Sequence, residues 1–218
     1  AQPLTSESWV IWQAAQVQDR GQFVVQAIGA DGPAELYVVD GSSIGSEHTR
    51  ITRLTSWNRD LAQSLAVSQP EPFWFTNSAG DQVQAWIMRP NMAGQVAEGG
   101  RVPVVLAIHG GPHAMYAGVY YHEFQTLTAA STAVVFTNPR GSFGYGQQFA
   151  AACLGRFGEG DAEDVLQALD EALARYDWLD PLRTGVMGGS YGGLMTNGLV
   201  GRTNRFRAAV SQRSITNW

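Results

Sequence analysis

The sequence contains no lysine; all 14 of its positive charges are arginine, a bias that we read as a GC-rich coding sequence rather than selection for arginine chemistry. Charge of either sign is scarce, at 15% of residues. The net charge of −5 leaves no basic surplus to neutralise phosphates, which argues against a nucleic-acid partner. Cysteine occurs once, as Cys153, so no disulfide can form within the chain and folding does not depend on an oxidising compartment. With only Gly155 and Arg156 as notable neighbours, Cys153 reads as a small buried hydrophobe. No apolar run approaches the roughly 20 residues of a membrane helix and no signal peptide opens the chain; the expectation is a cytoplasmic protein with no membrane partner. An initiator methionine is also lacking, which leaves room for a targeting signal upstream of Ala1. The last absence is local: no histidine, aspartate or glutamate follows Ser190.

What is present suffices for a globular fold. The chain has 218 residues, 44% of them hydrophobic, enough for one sizeable domain and a smaller neighbour. Four short β-rich runs come first, at residues 9–14, 22–28, 35–39 and 50–54. Asp19-Arg20-Gly21, Asp31-Gly32-Pro33 and Asp40-Gly41-Ser42 supply the turns between them. Four antiparallel strands of this size resemble one blade of a β-propeller, which cannot bury both of its faces alone, and no second copy of the pattern occurs. Trp9, Trp12, Phe23 and Tyr37 are assigned to the inner faces of that blade, and residues 55–68 to a linker. The expected domains are therefore 1–68 and 69–218.

Residues 73–76 and 83–88 flank Asn77-Ser78-Ala79-Gly80-Asp81 as a hairpin. Beyond it the pattern changes. Residues 103–108 and 133–136 are continuous apolar runs of strand length, as expected of strands covered on both faces, and residues 120–130 leave room for a crossover helix. A helix is expected over 161–176, with Val165, Leu169, Leu173 and Tyr176 on one face. Asp161, Glu163 and Asp164 are assigned to its start as surface charges that favour the positive end of the helix dipole. A strand at 184–187, a helix at 192–200 and a strand at 208–210 complete a doubly wound, mostly parallel α/β sheet.

Between the last strand–helix pair lies Gly188-Gly189-Ser190-Tyr191-Gly192, which has the G-x-S-x-G form of a nucleophile elbow in its required context. The serine sits on a tight turn, and glycines two residues away let strand and helix approach without a Cβ between them. The expected nucleophile is Ser190. His109-Gly110-Gly111-Pro112-His113 follows the buried run at 103–108, where a glycine-rich turn supplies one N–H of an oxyanion hole. Gly111 is the candidate there, and the N–H of Tyr191, next after the nucleophile, is the second. His109 and His113 have the i, i+4 spacing of metal ligands on a helix, but Gly-Gly-Pro between them breaks any helix, so no metal and no cofactor are expected.

Five ordered motifs resemble the prolyl oligopeptidase family of serine peptidases, and most of all its acylaminoacyl-peptidase branch. They are His109 to His113, Asn138 to Gly146 (NPRGSFGYG), Gly158 to Val165 (GEGDAEDV), Asp180 to Gly193 (DPLRTGVMGGSYGG) and the strand from Phe206 to Ser211. The resemblance implies an α/β-hydrolase domain joined to a β-propeller, which accounts for the lone blade. It also implies Ser190 as nucleophile and Gly111 and Tyr191 as oxyanion donors. Pro139 stands where the family usually has tyrosine, and Arg140 after it is read as a loop-anchoring residue rather than a substrate ligand. Tyr191 and Phe143 are candidates for the pocket that takes the side chain beside the scissile bond.

The family's aspartate and histidine fall after the point where the sequence stops. The expectation is an incomplete α/β-hydrolase fold: an internal fragment, nearly inert alone, whose partner is a complementary polypeptide carrying the missing Asp and His. Its substrates would be short peptides, N-acylated ones among them, and the parent enzyme could form a homo-oligomer. Two other readings remain open: a carboxylesterase, which shares the elbow and the oxyanion turn, and a non-catalytic binding module built on the aromatic β surface.

Overall fold

The computed structural model describes residues 9–18, 21–41, 50–91 and 100–216. Asp19, Arg20 and Ser42, expected in turns, lie outside them. The chain divides into two compact units: residues up to Gln69 together with Ala117–Gln125 form one, and Pro70–Tyr116 with the chain from Thr126 onward forms the other.

The first unit is an antiparallel sheet of four strands in sequence order: β1 (Val10–Val17), β2 (Gln22–Ile28), β3 (Glu35–Asp40) and β4 (Ile51–Arg53). Its core is small. Val25, Ala27 and Val39 are buried, with Trp9, Phe23, Tyr37 and Ile51 packed against them. The rings of Trp9 and Tyr37 lie 4.4 Å apart. Trp12 departs from the expected inner face and is 67% exposed, because β1 is exposed on both of its faces along nearly its whole length. The segment expected to be a linker holds a helix, α1 (Arg59–Ser64), with no buried residue. Glu35 ties that segment to the sheet. Buried, it accepts hydrogen bonds from the Thr55 hydroxyl and from the N–H groups of Trp57 and Asn58, and it pairs with Arg53. Burial pushes its carboxyl pKa up, but these donors together hold it below the ordinary value.

The second unit is built on a mixed six-stranded sheet. Its strands are β5 (Pro70–Thr76), β6 (Gln82–Met88), β7 (Val102–Ile108), β8 (Ala133–Thr137), β9 (Leu179–Gly189) and β10 (Phe206–Gln212), in the order β10-β9-β7-β8-β6-β5. The expected hairpin is β5–β6, and it joins the sheet by pairing β6 antiparallel to β8. Trp86 and Phe136 face each other across that pair and stack at 5.2 Å. β7, β8, β9 and β10 run parallel. All of β8 is buried, which is why its first four residues are an unbroken apolar run and only Thr137 at its end is polar.

Among the described residues the helices that lie between these strands in sequence are α2 (His122–Ala129), whose first half belongs to the first unit, α3 (Gln147–Ala151), α4 (Gly160–Arg175) and α5 (Tyr191–Val200). Val165, Leu169 and Ala172 of α4 and Met195 and Leu199 of α5 pack with Leu106, Val135 and Val186 into one core. Two of the acids expected on the surface of α4 are inside. Asp161 and Asp164 are buried, and only Glu163 is exposed. The correction follows from helical spacing: 161, 164, 165, 168, 169 and 172 share one face, so these acids lie on the same stripe as the apolar residues and need partners within the protein.

Candidate active site

Three loops leave the carboxyl ends of three adjacent parallel strands. Ile108 pairs with Gly188 across β7–β9 and Ala107 with Phe136 across β7–β8, so the strand ends lie level. The chain passes from β7 to β8 on one side and returns to β9 on the other. Such a reversal is a topological switch point, where open α/β sheets place ligands in the crevice beyond the strand ends.

The elbow leaves β9 with Ser190 at φ 59° and ψ −119°, immediately before α5. A non-glycine residue at positive φ costs about 1–3 kcal/mol and persists only where its surroundings enforce it. Those surroundings are on hand. The Ser190 N–H donates to the Gln212 carbonyl at 2.9 Å, and its own carbonyl accepts from the Leu194 N–H at 3.0 Å. A Cβ on Gly192 would collide with the Ile108 carbonyl oxygen and lie 2.9 Å from that of His109, so the start of α5 rests directly on the end of β7. Ser190 itself is exposed.

The loop after β7 reaches the same spot. A Cβ on Gly110 would lie 3.4 Å from the Ser190 Cβ and 4.0 Å from its Oγ, and Gly111, at φ 118°, is exposed beside it. This loop is laced to the one that follows β8. Asn138 closes a two-way bridge with the backbone of Tyr116, accepting at 2.7 Å and donating at 2.9 Å. The Phe143 N–H donates to the Ala114 carbonyl at 2.9 Å, and the His113 Nδ1 lies 3.0 Å from the Gly141 carbonyl. Phe143 stacks on the His113 ring at 5.4 Å and is half exposed, an aromatic ledge on the turn that follows β7.

His109 is scaffolding. Its Nδ1 lies 2.7 Å from the Gly110 carbonyl and its Nε2 2.9 Å from the hydroxyl oxygen of Ser142, which itself donates to the Pro139 carbonyl at 2.7 Å. Burial holds its pKa below the ordinary 6.5. Among the described residues no group of His, Cys, Asp and Glu is arranged to hold a metal ion.

Arg140 anchors the same loop to α4. Its Nε and one terminal nitrogen grip the two carboxylate oxygens of Asp164 at 2.9 and 2.8 Å, its backbone N–H donates to the same group, and the fork also reaches the Gly160 carbonyl at 2.8 Å. Hydrogen bonding to Asp164 pushes the already high pKa of the guanidinium up further. Cys153 is buried behind this loop, where a Cβ on Gly141 would press against its sulfur.

Ser190, Gly111 and the backbone of Tyr191 thus meet at one end of the sheet, as the motif spacing suggests. The Tyr191 side chain does not line an open pocket. It is fully buried, and its hydroxyl donates to Asp161. The interior roles of Asp161 and Asp164 escape a reading by residue type, although their place on the apolar stripe of α4 was a usable signal. No helix among the described residues is long and apolar enough to cross a membrane.

The model of the prolyl oligopeptidase family matches residues 118–218. The peptidase YuxL of Bacillus subtilis is 45% identical over 99% of this chain, which spans 32% of that relative. The acylamino-acid-releasing enzyme of Sus scrofa is 31% identical over 72% of the chain and 21% of its own length. Among solved structures, the Pyrococcus horikoshii acylaminoacyl peptidase superposes with a TM-score of 0.87 at 29% identity, over 98% of this chain and 32% of that one. An acylaminoacyl peptidase in complex with Z-Gly-Gly-Phe-chloromethyl ketone gives 0.86 at 30% identity, with the same coverage. Likeness of motif, sequence and fold agree: the chain belongs to the prolyl oligopeptidase family.

Proposed function

We propose that this chain carries the nucleophile and oxyanion hole of a serine peptidase of the acylaminoacyl-peptidase type, acting on short peptides, N-acylated ones included. The observation that carries the reading is Ser190: exposed, held at positive φ between β9 and α5, with the Gly110–Gly111 turn packed against its Cβ. The Ser190 Oγ attacks the scissile carbonyl and its proton passes to a histidine base. The oxygen that becomes negative is held by the N–H groups of Gly111 and Tyr191, and the C–N bond breaks as the histidine protonates the leaving amine. Water then hydrolyses the acyl-serine by the same route in reverse. Each oxyanion donor contributes about 2.7–4 kcal/mol to the transition state. The dipole of α5 adds to them, since the helix begins at Tyr191.

The histidine and its aspartate belong to the remainder of a parent polypeptide, of which the four-stranded sheet is one propeller blade. Without a base such a serine loses about a millionfold in turnover, so this segment alone is expected to be nearly inert. Peptide substrates are favoured by the similar peptidase that binds a peptidyl chloromethyl ketone, and by the exposed Phe143 ledge, which offers an apolar side chain a surface next to the turn.

The test is active-site labelling of the full-length parent with a fluorophosphonate, expected at Ser190 and abolished in Ser190→Ala. A folded parent that does not label is not a serine hydrolase. Acetyl-aminoacyl amides should then be cleaved in preference to simple acyl esters; the opposite preference would make the protein an esterase.

A further inference from the structure

The buried contact between Tyr191 and Asp161 has no part in the chemistry above, yet it joins the elbow to a different helix. The Tyr191 ring is wholly inside, and its hydroxyl donates to the Asp161 Oδ2. Phe157 packs edge-on against the ring at 5.8 Å. Asp161 is fixed in its turn: Oδ2 also accepts the Gly158 N–H at 3.0 Å and Oδ1 accepts the Ala162 N–H at 2.9 Å. Its carboxylate lies in the first turn of α4, where the helix dipole favours negative charge. The first residue of α5 is thus bolted at its far end to the first turn of α4, thirty residues earlier.

Tyr191 has two ends with different duties. Its side chain occupies the core, while its N–H is the oxyanion donor of the proposed reaction and adjoins the strained Ser190. A side chain held at ring and hydroxyl fixes the direction of the N–H at its own Cα. We propose that Asp161 is a positioning residue for catalysis, which acts through the Tyr191 hydroxyl to aim the Tyr191 N–H and hold the Ser190 backbone at its strained angle. The inference rests on the reading of Ser190 as nucleophile. It assigns Asp161 no contact with substrate and no proton transfer.

The experiment uses the full-length parent and follows both the end-point and the rate of fluorophosphonate labelling, with kcat and KM on an acetyl-aminoacyl amide. The end-point counts folded sites, whereas the rate reports how well the oxyanion donors are aimed. Asp161→Ala, which leaves the Tyr191 hydroxyl without its acceptor, should keep the wild-type end-point. Its labelling rate and kcat should fall about ten- to a hundredfold with KM little changed, as for a small misplacement of catalytic groups. Asp161→Asn, whose amide oxygen can still accept from the hydroxyl, should recover most of that loss. Tyr191→Phe should resemble Asp161→Ala, and the double variant should be no worse than either, since both remove one contact.

Equal rates in wild type and Asp161→Ala would overturn the inference, as would a fall in end-point at unchanged rate, which is the signature of a purely structural residue. Should Asp161→Ala not fold, Tyr191→Phe carries the decision by the same two measurements. Absence of labelling in the wild type would instead overturn the nucleophile assignment, and the role of Asp161 with it.

Discussion

Gly192 lies so close under the end of β7 that its missing side chain is a packing requirement: a Cβ there would enter the space of the Ile108 carbonyl oxygen. The contact is backbone to backbone, so no rotamer change can relieve it. Gly192→Ala should destabilise the protein by about 3 kcal/mol or lift α5 off the sheet. Urea unfolding would show the first and loss of Ser190 labelling the second. Wild-type values for both would mean that the elbow is looser than described. Gly198 is the control, because it has open space around it, and Gly198→Ala should change little.

Arg140 and Asp164 form a two-pronged pair with the carboxylate fully buried. Removing the cation leaves an uncompensated charge in the core, so Arg140→Ala should cost about 3–5 kcal/mol. Arg140→Lys keeps the charge but not the fork, and should fall between the two. If both variants unfold at the wild-type urea concentration, the loop after β8 is held by other contacts.

Stability should also depend on pH through His109. Burial holds its folded pKa below 6.5, so as acid is added the unfolded chain takes up a proton first. Stability conferred by the neutral ring is therefore complete above 6.5 and declines as pH falls below it towards the folded pKa, by at most about 1.4 kcal/mol per pH unit. The urea midpoint should drop as pH falls below about 6.5, and His109→Gln should flatten that slope. An equally steep decline in the variant would assign it to another group.

Phe143 is half exposed where it stacks on His113 of the glycine-rich turn. Phe143→Ala should lower kcat/KM for acetyl-phenylalanyl or acetyl-leucyl amides by about tenfold and spare acetyl-alanyl amide, because a small side chain leaves the ledge unfilled. A uniform loss across all three would show that Phe143 supports the loop and does not select side chains.

These residues also show what a sequence reveals. β7 and β8 were legible because strands covered on both faces must be apolar throughout. The elbow was legible because its close approach demands glycine. Asp161 and Asp164 were missed because residue type placed them outside, although their helical phase placed them inside. α1 has no buried residue and α3 is only five residues long, so neither leaves a periodic trace. Trp12 is a different case: an aromatic in a strand is expected to face inward, but β1 is exposed on both faces at that position. Strand order is harder still. No local pattern announces that β7 lies between β8 and β9, since order comes from contacts between segments far apart in the chain.

That order has a consequence for how the site comes into being. Gly111 and Ser190 belong to segments far apart in the chain, and the register of β7 on β9, which ends with Ile108 opposite Gly188, sets their longitudinal alignment. A slip of one residue would displace one loop past the other by about 3.3 Å, further than any oxyanion could be shared. Loop-closure entropy must be met before contacts between such distant segments reward it, so the pairing is slow to form. On the proposed reading, Ser190 therefore stays an ordinary hydroxyl on the nascent chain until these strands have paired.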